Sequence, residues 1–162
     1  MAIHAYLTLK GEKSGDIKGS CDQEHHVGKI LVYAFDHAVS VPTDPHGGHV
    51  TGRRVHEPWK VVKGYDSSTP LLYQALVHGE QLTALLEWYR IRGGEEELYF
   101  TMKLENAQVV KVAPYMKLVL DPAYSQYEHL EEVSFTYQKI IWTYKPDGIE
   151  ADDDWKKPNV KK

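Results

Sequence analysis

The amino-acid sequence predicts an all-β protein: a two-sheet β-barrel of about eight strands with one short flanking α-helix. Three observations lead to this prediction. Apolar and polar residues alternate with a period of two along much of the chain, which is typical of strands buried on one face. Glycines and prolines separate these segments at turns. Helix-forming signals occur together in only one segment, and this overall pattern is typical of a barrel or sandwich.

The first half of the chain contains three long predicted strands and one short one. Ile3 to Leu9 alternates cleanly, and a loop with a short strand near Ile17 follows. The next strand, Ile30 to Val41, starts apolar on both faces, whereas an antiparallel sheet normally exposes one face to water. We therefore expect a second sheet, the helix or a neighbouring subunit to cover its other side. Trp59 to Lys63 forms the third strand.

One helix is predicted after these strands. Thr69 is the expected N-cap, with Pro70 at the first helical position, and Gly79 is expected to end the helix. Because the helix is short, contacts with the barrel must stabilise it. Its apolar face consists of Leu71, Leu72, Ala75 and Leu76.

The second half of the chain is again predicted to be strands. Leu82–Ile91 and Glu96–Leu104 flank a glycine pair suited to a tight turn, so they are expected to form a hairpin. Ala107–Ala113 is a further strand. After an irregular segment, the last strand is expected to run from Glu132 to Tyr144.

The composition narrows the classes of function. The 162 residues are enough for one self-sufficient domain, and residues 146–162 are expected to form a polar C-terminal tail. The formal net charge of −4 argues against nucleic acid as a partner, because phosphate binding needs a concentrated basic surface. The only cysteine is Cys21, which excludes an intrachain disulfide.

No segment has the pattern of a signal peptide or the length of a membrane span. We therefore expect a protein that folds in the cytoplasm and does not insert into membranes. If it is secreted to the extracellular space, we expect it to leave the cell without a signal peptide.

The segment from Pro42 to Pro58 is longer than the ~12–15 residues of an ordinary structureless connection, so it is a candidate functional loop. It contains His46 and His49, three residues apart, and then His56. Zinc requires three or four ligands in a rigid frame, whereas these histidines lie on backbone rich in glycine and proline. We therefore expect a surface loop and no metal site.

Sequence motifs for catalysis are missing. There is no Gly-x-Ser-x-Gly, no His-Glu-x-x-His and no phosphate-binding glycine loop before a helix. Adjacent acidic residues on a strand point to opposite faces, so they do not form catalytic pairs. We expect a structural or binding protein without catalytic residues or a cofactor, and not an enzyme.

Asp36 is a polar residue within the second predicted strand, on a face that is otherwise Ile, Val and Ala. One interpretation is structural: an exposed edge position, or a buried carboxylate paired with Arg53 or Arg54. The other is functional: an acidic group that lines a solvated lumen or a subunit contact. The sequence alone does not decide between them.

Seven segments spread along the chain carry a family resemblance. The most specific is His129–Lys145, with the sequence HLEEVSFTYQKIIWTYK. The other six are Ala2–Lys10, Gly15–Ser20, Val41–Asp44, Thr51–His56, Asp66–Pro70 and Lys103–Lys111. Together they resemble the haemolysin co-regulated protein (Hcp) family of tube subunits from type VI secretion systems.

The resemblance implies a tight β-barrel that assembles as a homo-hexameric ring. Such rings stack into a tube with a spike protein at its tip, and a contractile sheath propels the tube. The lumen of the rings carries effector proteins. The long loop would contact the adjacent ring, and Asp36 would face the lumen and its cargo. The implied ring-stacking residues are Thr43, Asp44, His46, His49, Arg53, Arg54 and His56.

Two alternatives stay open at this point. The first is a small β-barrel module that binds a polar ligand through faces rich in tyrosine and tryptophan, of which the chain has 11 and 4. The second is a metal-dependent hydrolase that uses His46, His49 and His56. Ring assembly distinguishes the tube subunit from the first alternative, and stoichiometric zinc would favour the second.

Overall fold

The computed structural model describes residues 3–157, which form eleven β-strands, one α-helix and one 3-10 helix. The α-helix, α1, is Thr69–His78, and the 3-10 helix is Pro122–Tyr124. The strands are β1 (Ala5–Gly11), β2 (Gly15–Ile17), β3 (Ile30–Asp36), β4 (Val39–Ser40), β5 (Val55–His56), β6 (Trp59–Gly64), β7 (Leu82–Arg92), β8 (Glu95–Tyr115), β9 (Leu130–Thr136), β10 (Lys139–Tyr144) and β11 (Ile149–Asp154).

Six of these strands close into a barrel. They are ordered β1, β3, β6, β9, β8 and β7, and β7 pairs with β1 to complete the circle. All of these pairings are antiparallel. The predicted all-β barrel with one flanking helix is therefore confirmed. The other strands either extend the barrel sheet, as β2, β10 and β11 do, or form the separate β4–β5 ribbon.

Apolar side chains fill the barrel interior in the alternating order that the sequence predicts. In β1, Ala5, Leu7 and Leu9 are buried, whereas Thr8 and Lys10 are exposed. Burying each large apolar side chain contributes about 1.5–3 kcal/mol to folding. Five aromatic side chains pack edge to face, with ring centroids 5.2, 5.6 or 5.7 Å apart. They are Phe35, Trp59, Trp88, Phe100 and Phe135.

The strand β8 is a single element of 21 residues, so the prediction of two strands ending at Leu104 and starting at Ala107 was wrong. The chain bends between them without leaving the sheet, because Asn106 adopts a left-handed backbone with φ of 49°, which asparagine tolerates better than most residues. Before the bend β8 pairs with β10 and with most of β7. After the bend it pairs with β9, and Ala107 still pairs with Leu82 of β7.

The predicted strand Glu132–Tyr144 shows the reverse error: one strand was predicted and the structure has two. It forms β9 and β10, with a break at Tyr137 and Gln138 directly across from the bend in β8. The Asn106 side-chain amide donates to the Gln138 side-chain oxygen at 3.1 Å. The break and the bend therefore form one corner, at which the sheet branches.

The predicted strand Ile30–Val41 is also interrupted. β3 ends at Asp36, which pairs with Lys60 near the start of β6. Beyond that point β3 has no barrel partner, so the chain turns away and continues as β4. The side chains of Tyr33 and Ala34 are exposed, so the expected cover over this strand does not come from the described part of the chain.

The polar stretch after residue 146 was expected to be a tail, but residues 149–154 form β11, which pairs along its whole length with β10. An edge strand needs backbone hydrogen bonds more than apolar side chains, so its acidic composition concealed it. Residues 158–162 of the predicted tail lie outside the described residues.

The helix α1 begins one residue earlier than predicted, with Ser68 as the N-cap and Pro70 in its first turn. Gly79 ends the helix in a left-handed conformation, as predicted. Leu72 and Ala75 are its fully buried side chains. Among residues 3–157, no helix has the length and apolar character needed to cross a bilayer.

A buried ion pair joins β6 and β9 beside the start of the helix. Lys63 and Glu131 are cross-strand partners, are fully buried, and contact each other directly. The Lys63 ammonium also lies 3.1 Å from the Asp66 carboxylate and donates to the Gly64 carbonyl at 2.9 Å. The Thr69 hydroxyl donates to Glu131 at 2.8 Å. This network therefore ties the first turn of the helix to two barrel strands.

Removing one member of this network should destabilise the fold strongly. Glu131→Gln leaves the Lys63 charge buried without its main counterion, and we expect a loss of about 3–5 kcal/mol in the free energy of unfolding. The matched control is Glu132→Gln, whose carboxylate pairs with the exposed Lys111 at 3.4 Å and should contribute less than about 1 kcal/mol. Urea denaturation measures both, and equal losses in the two variants would contradict the ranking.

Candidate functional site

The long loop of the sequence is folded as a β-ribbon, which we call the β4–β5 hairpin (residues 39–56). Val39 pairs with His56 and Ser40 with Val55, and an isolated bridge joins Thr43 to Val50. The loop was expected to lack regular structure. Its strands are too short and its proline content too high for the sequence pattern to indicate pairing.

The tip of the β4–β5 hairpin is fixed by Asp44. Its backbone N–H donates to the His49 carbonyl at 2.7 Å, and its carboxylate accepts from the backbone N–H groups of His46 and Gly47, both at 3.1 Å. Gly48 adopts a positive φ of 69°, which glycine accommodates without strain. The tip therefore has one defined shape, although it is exposed to solvent.

The base of the hairpin is bound to the C-terminal strand β11. The Arg54 guanidinium makes a two-pronged contact with the Asp153 carboxylate, in which Nη2 lies 2.9 Å from Oδ1. The same Nη2 donates to the carbonyls of Asp154 and Lys157, both at 3.1 Å. The hydrogen bonds from Arg54 hold the pKa of the Asp153 carboxyl below its ordinary value. The carboxylate is therefore a stable anion.

A chain of four side chains, which we call the relay, continues from this ion pair. His56 Nε2 lies 2.7 Å from Asp153 Oδ2, and His56 Nδ1 lies 2.6 Å from the Tyr137 hydroxyl. The same hydroxyl lies 2.8 Å from His37 Nε2. Burial and the charge of Asp153 raise the pKa of Tyr137, and burial is the main cause that lowers the pKa of His37.

The structure divides the predicted ring-stacking residues into two groups. Arg54 and His56 face the chain's own β11, and the His56 side chain is only 1% exposed. They therefore anchor the hairpin, and only 14% of the Arg54 side chain and 1% of the His56 side chain are left exposed for contact with an adjacent ring. The residues that remain toward solvent are Thr43, Asp44, His46, His49 and Arg53.

The three histidines of the hydrolase alternative are not brought together. His46 and His49 are exposed at the hairpin tip, whereas His56 is buried at its base. Within residues 3–157, no three His, Cys, Asp or Glu side chains are grouped closely enough to hold a metal ion. The donor set that this alternative requires is therefore not formed.

Asp36 is exposed and is the last residue of β3. The interpretation as a buried carboxylate paired with Arg53 or Arg54 was wrong, because Asp36 is exposed and Arg54 binds Asp153. Two interpretations stay open: an exposed position of no particular function, and an acidic group on an assembly surface.

Sequence reasoning did not identify Asp153, Tyr137 or His37 as members of the site. Asp153 belongs to an acidic run that resembled a solvated tail, and Tyr137 lies in a stretch that resembled an uninterrupted strand. The contacts between His56 and Asp153 span 97 positions of sequence, so no local spacing could indicate them. A histidine at each end of the loop was the only available signal.

Asp153→Ala should release the base of the β4–β5 hairpin. Charge-assisted hydrogen bonds contribute about 1.5–3 kcal/mol, so we expect trypsin to cleave after Arg53 and Arg54 about tenfold faster or more. Asp152→Ala is the matched control, because the Asp152 carboxylate is 56% exposed and its nearest cation, Lys139, is 3.6 Å away. If both variants are cleaved at the wild-type rate, Arg54 and Asp153 do not anchor the hairpin.

Comparison with known proteins agrees with this architecture. The family model described as "Type VI secretion system effector, Hcp" matches residues 6–144. The "Major exported protein" of Pseudomonas aeruginosa is 40% identical to the chain over 169 aligned positions, which cover 98% of each sequence.

Solved structures give the same result. The Hcp1 protein of Escherichia coli EAEC 042, in a doubly substituted form, is 44% identical with a TM-score of 0.84, and the match covers 95% of this chain and 99% of that one. The secreted protein Hcp3 of Pseudomonas aeruginosa is 34% identical with a TM-score of 0.78, covering 94% and 97%. On this combination of sequence and fold, the chain belongs to the Hcp family of the type VI secretion system.

Proposed function

We propose that this chain is a structural subunit of the type VI secretion tube, in which copies assemble into hexameric rings and the rings stack. The observation that carries the proposal is the β4–β5 hairpin, whose base is bound to β11 and whose tip is held by Asp44. A segment that is ordered before it binds loses little conformational entropy on docking. The hairpin is therefore suited to contact an adjacent ring.

The surface of the hairpin supports this role. Its tip presents His46 and His49 together with apolar side chains, of which Val50 is 68% exposed. Arg53 adds a positive charge beside them. Aromatic or arginine groups next to apolar ones are common where protein surfaces meet. The proposed stacking surface is Thr43, Asp44, His46, His49 and Arg53.

Two further surfaces support contacts between neighbouring subunits in a ring. The outer side of β3 leaves Tyr33 exposed. The connection between β8 and β9 exposes four apolar side chains, with Leu120 at 85%. A contiguous apolar patch on a soluble protein commonly marks an interaction site. The four side chains are Met116, Leu118, Val119 and Leu120.

Cargo would be carried outside the barrel, because apolar side chains already fill its interior. A ring of such barrels encloses a central lumen, and effector proteins would bind there. We propose that Asp36 faces this lumen, since it is exposed at the end of a barrel strand. The sheath and spike proteins of the secretion machine are the remaining proposed partners.

The proposed role is mechanical and does not include catalysis. The relay contains histidine, aspartate and tyrosine, but its central hydroxyl belongs to a side chain that is only 4% exposed, so a substrate has no access to it. We propose that the protein is made in the cytoplasm and exported by the secretion machine. The name of its Pseudomonas aeruginosa relative, "Major exported protein", indicates export of that protein.

Deleting Thr43 to Arg53 should leave rings intact and prevent stacking. The deletion removes the exposed tip and retains Arg54 and His56, which anchor the base. Native mass spectrometry should give the same hexamer as the wild type, and negative-stain images should lack stacked rings. Arg53→Glu is a milder variant that should weaken stacking. A deletion variant that no longer forms rings would place the hairpin in the ring interface instead.

Asp36→Lys should change the retention of a co-expressed effector without affecting the fold. The residue is exposed, so surface substitution is expected to alter stability by no more than about 0.5 kcal/mol. Asp147→Lys, in the exposed turn before β11, is the matched control for charge reversal. Co-purification measures retention. Equal retention by both variants would remove Asp36 from the cargo surface, and an insoluble Asp36→Lys variant would show a structural role.

A further inference from the structure

The hydrogen atoms of the relay can be assigned one contact at a time, starting from Asp153. The Asp153 carboxylate is held ionised by Arg54, so it only accepts, and His56 Nε2 must carry the hydrogen that it receives. In neutral His56 the other nitrogen, Nδ1, is then bare and accepts from the Tyr137 hydroxyl. The Tyr137 oxygen in turn accepts from His37 Nε2–H. Each of the three short contacts then contains one hydrogen, and none of them sets two donors or two acceptors against each other.

The shared hydroxyl limits how many protons the relay can take up. One added proton is accommodated, either on the outer nitrogen of His37 or on His56 Nδ1, where the hydrogen bonds through Tyr137 reverse direction. A second proton places N–H groups from both imidazoles against one oxygen. The hydroxyl then has no acceptor in the relay for its own hydrogen. Tyr137 cannot relieve this by ionising, because burial and Asp153 raise its pKa.

We propose that the relay is a proton-sensitive latch, which holds the β4–β5 hairpin against β11 near neutral pH and releases it when the relay takes up a second proton. The proposal concerns regulation of the hairpin, so its consequence for ring stacking rests on the proposed function. Release of the hairpin from β11 does not depend on that proposed function.

The charges around the two imidazoles set the direction of the effect. His56 faces the ion pair of Arg54 and Asp153, and it shares Tyr137 with His37. His37 is desolvated and is repelled by His56, which together lower its pKa, while the carboxylates of Glu57 and Asp36 oppose this. The aromatic ring of Trp155 packs on His56 at 5.4 Å between centroids and carries no charge.

The sign of the pH dependence follows from the lowered pKa of His37. The released state, in which His37 is solvated, binds the proton more tightly than the docked state. Docking is therefore complete above the ordinary histidine pKa of about 6.5 and weakens as the pH falls below it. Asp153 does not contribute in this range, because its pKa is lowered from an already acidic value.

Hydrogen–deuterium exchange of the full chain at about pH 7.5 and about pH 5, corrected for intrinsic exchange, tests the latch. The reporters are the backbone N–H of Glu57, which donates to the Ala38 carbonyl, and that of Trp155, which donates to the Gln138 carbonyl. In the wild type both should lose protection about tenfold or more at the lower pH, because protonation of the relay favours the released state. Amides of β1 and β7 are the reference.

His37→Gln is the decisive variant. Glutamine can place an N–H where His37 Nε2 lies but cannot take up a proton, so the acid response should fall below about threefold. His46→Gln, an exposed histidine of the same hairpin outside the relay, should respond like the wild type. The latch proposal is wrong if His37→Gln loses protection at low pH as the wild type does, or if the wild type loses none. It is also wrong if the β1 and β7 amides lose as much protection as the two reporters.

Two further measurements complete the test. Long-range proton–nitrogen spectra of the wild type should place the hydrogen of neutral His56 on Nε2, and a hydrogen on Nδ1 would overturn the assignment even if His37→Gln does not fold. Sedimentation of the same samples reports stacking. Stacks at neutral pH without an exchange response contradict the latch alone. An exchange response without stacks at any pH contradicts the stacking role alone.

Discussion

The bend of β8 at Asn106 is the constraint on which most of the remaining structure depends. A single strand of 21 residues lies between β7 and β10 in its first half and pairs with β9 in its second half, and it can do so only if it changes direction. The left-handed backbone of Asn106 provides that change. Across from it the chain breaks between β9 and β10, and this break brings Tyr137 to the junction where the hairpin meets the barrel.

The contacts that hold the base of the β4–β5 hairpin depend on the same corner. β10 continues beyond the barrel wall and supplies the edge on which β11 pairs. Pairing fixes the register of β11, and the register places Asp153 against Arg54 and His56. The orientation of an exposed loop is therefore determined by strand pairing near the opposite end of the chain. Local sequence around the loop accounts only for the Asp44 turn at its tip.

The fold class could be predicted from alternation, and the strands β1, β6 and β7 were found within a few residues of their bounds. The strand connectivity at the corner could not be predicted, because a bend within a strand and a loop between two strands give the same pattern of apolar and polar residues. The distinction between Arg53 and Arg54 shows the same limit for the site. Neighbouring residues of an extended segment face opposite ways, and only the position of β11 decides which arginine is bound.

The acidic composition of β11 has a consequence for solubility. Among residues 3–157, β11 pairs only with β10, which leaves its other edge open. Open sheet edges promote irregular association between molecules. Glu150 and Asp152 are exposed along this strand. If two copies of β11 met antiparallel, carboxylates would lie opposite carboxylates, and their repulsion would disfavour the pairing. The acidic run that concealed the strand in the sequence thus also protects its open edge from aggregation.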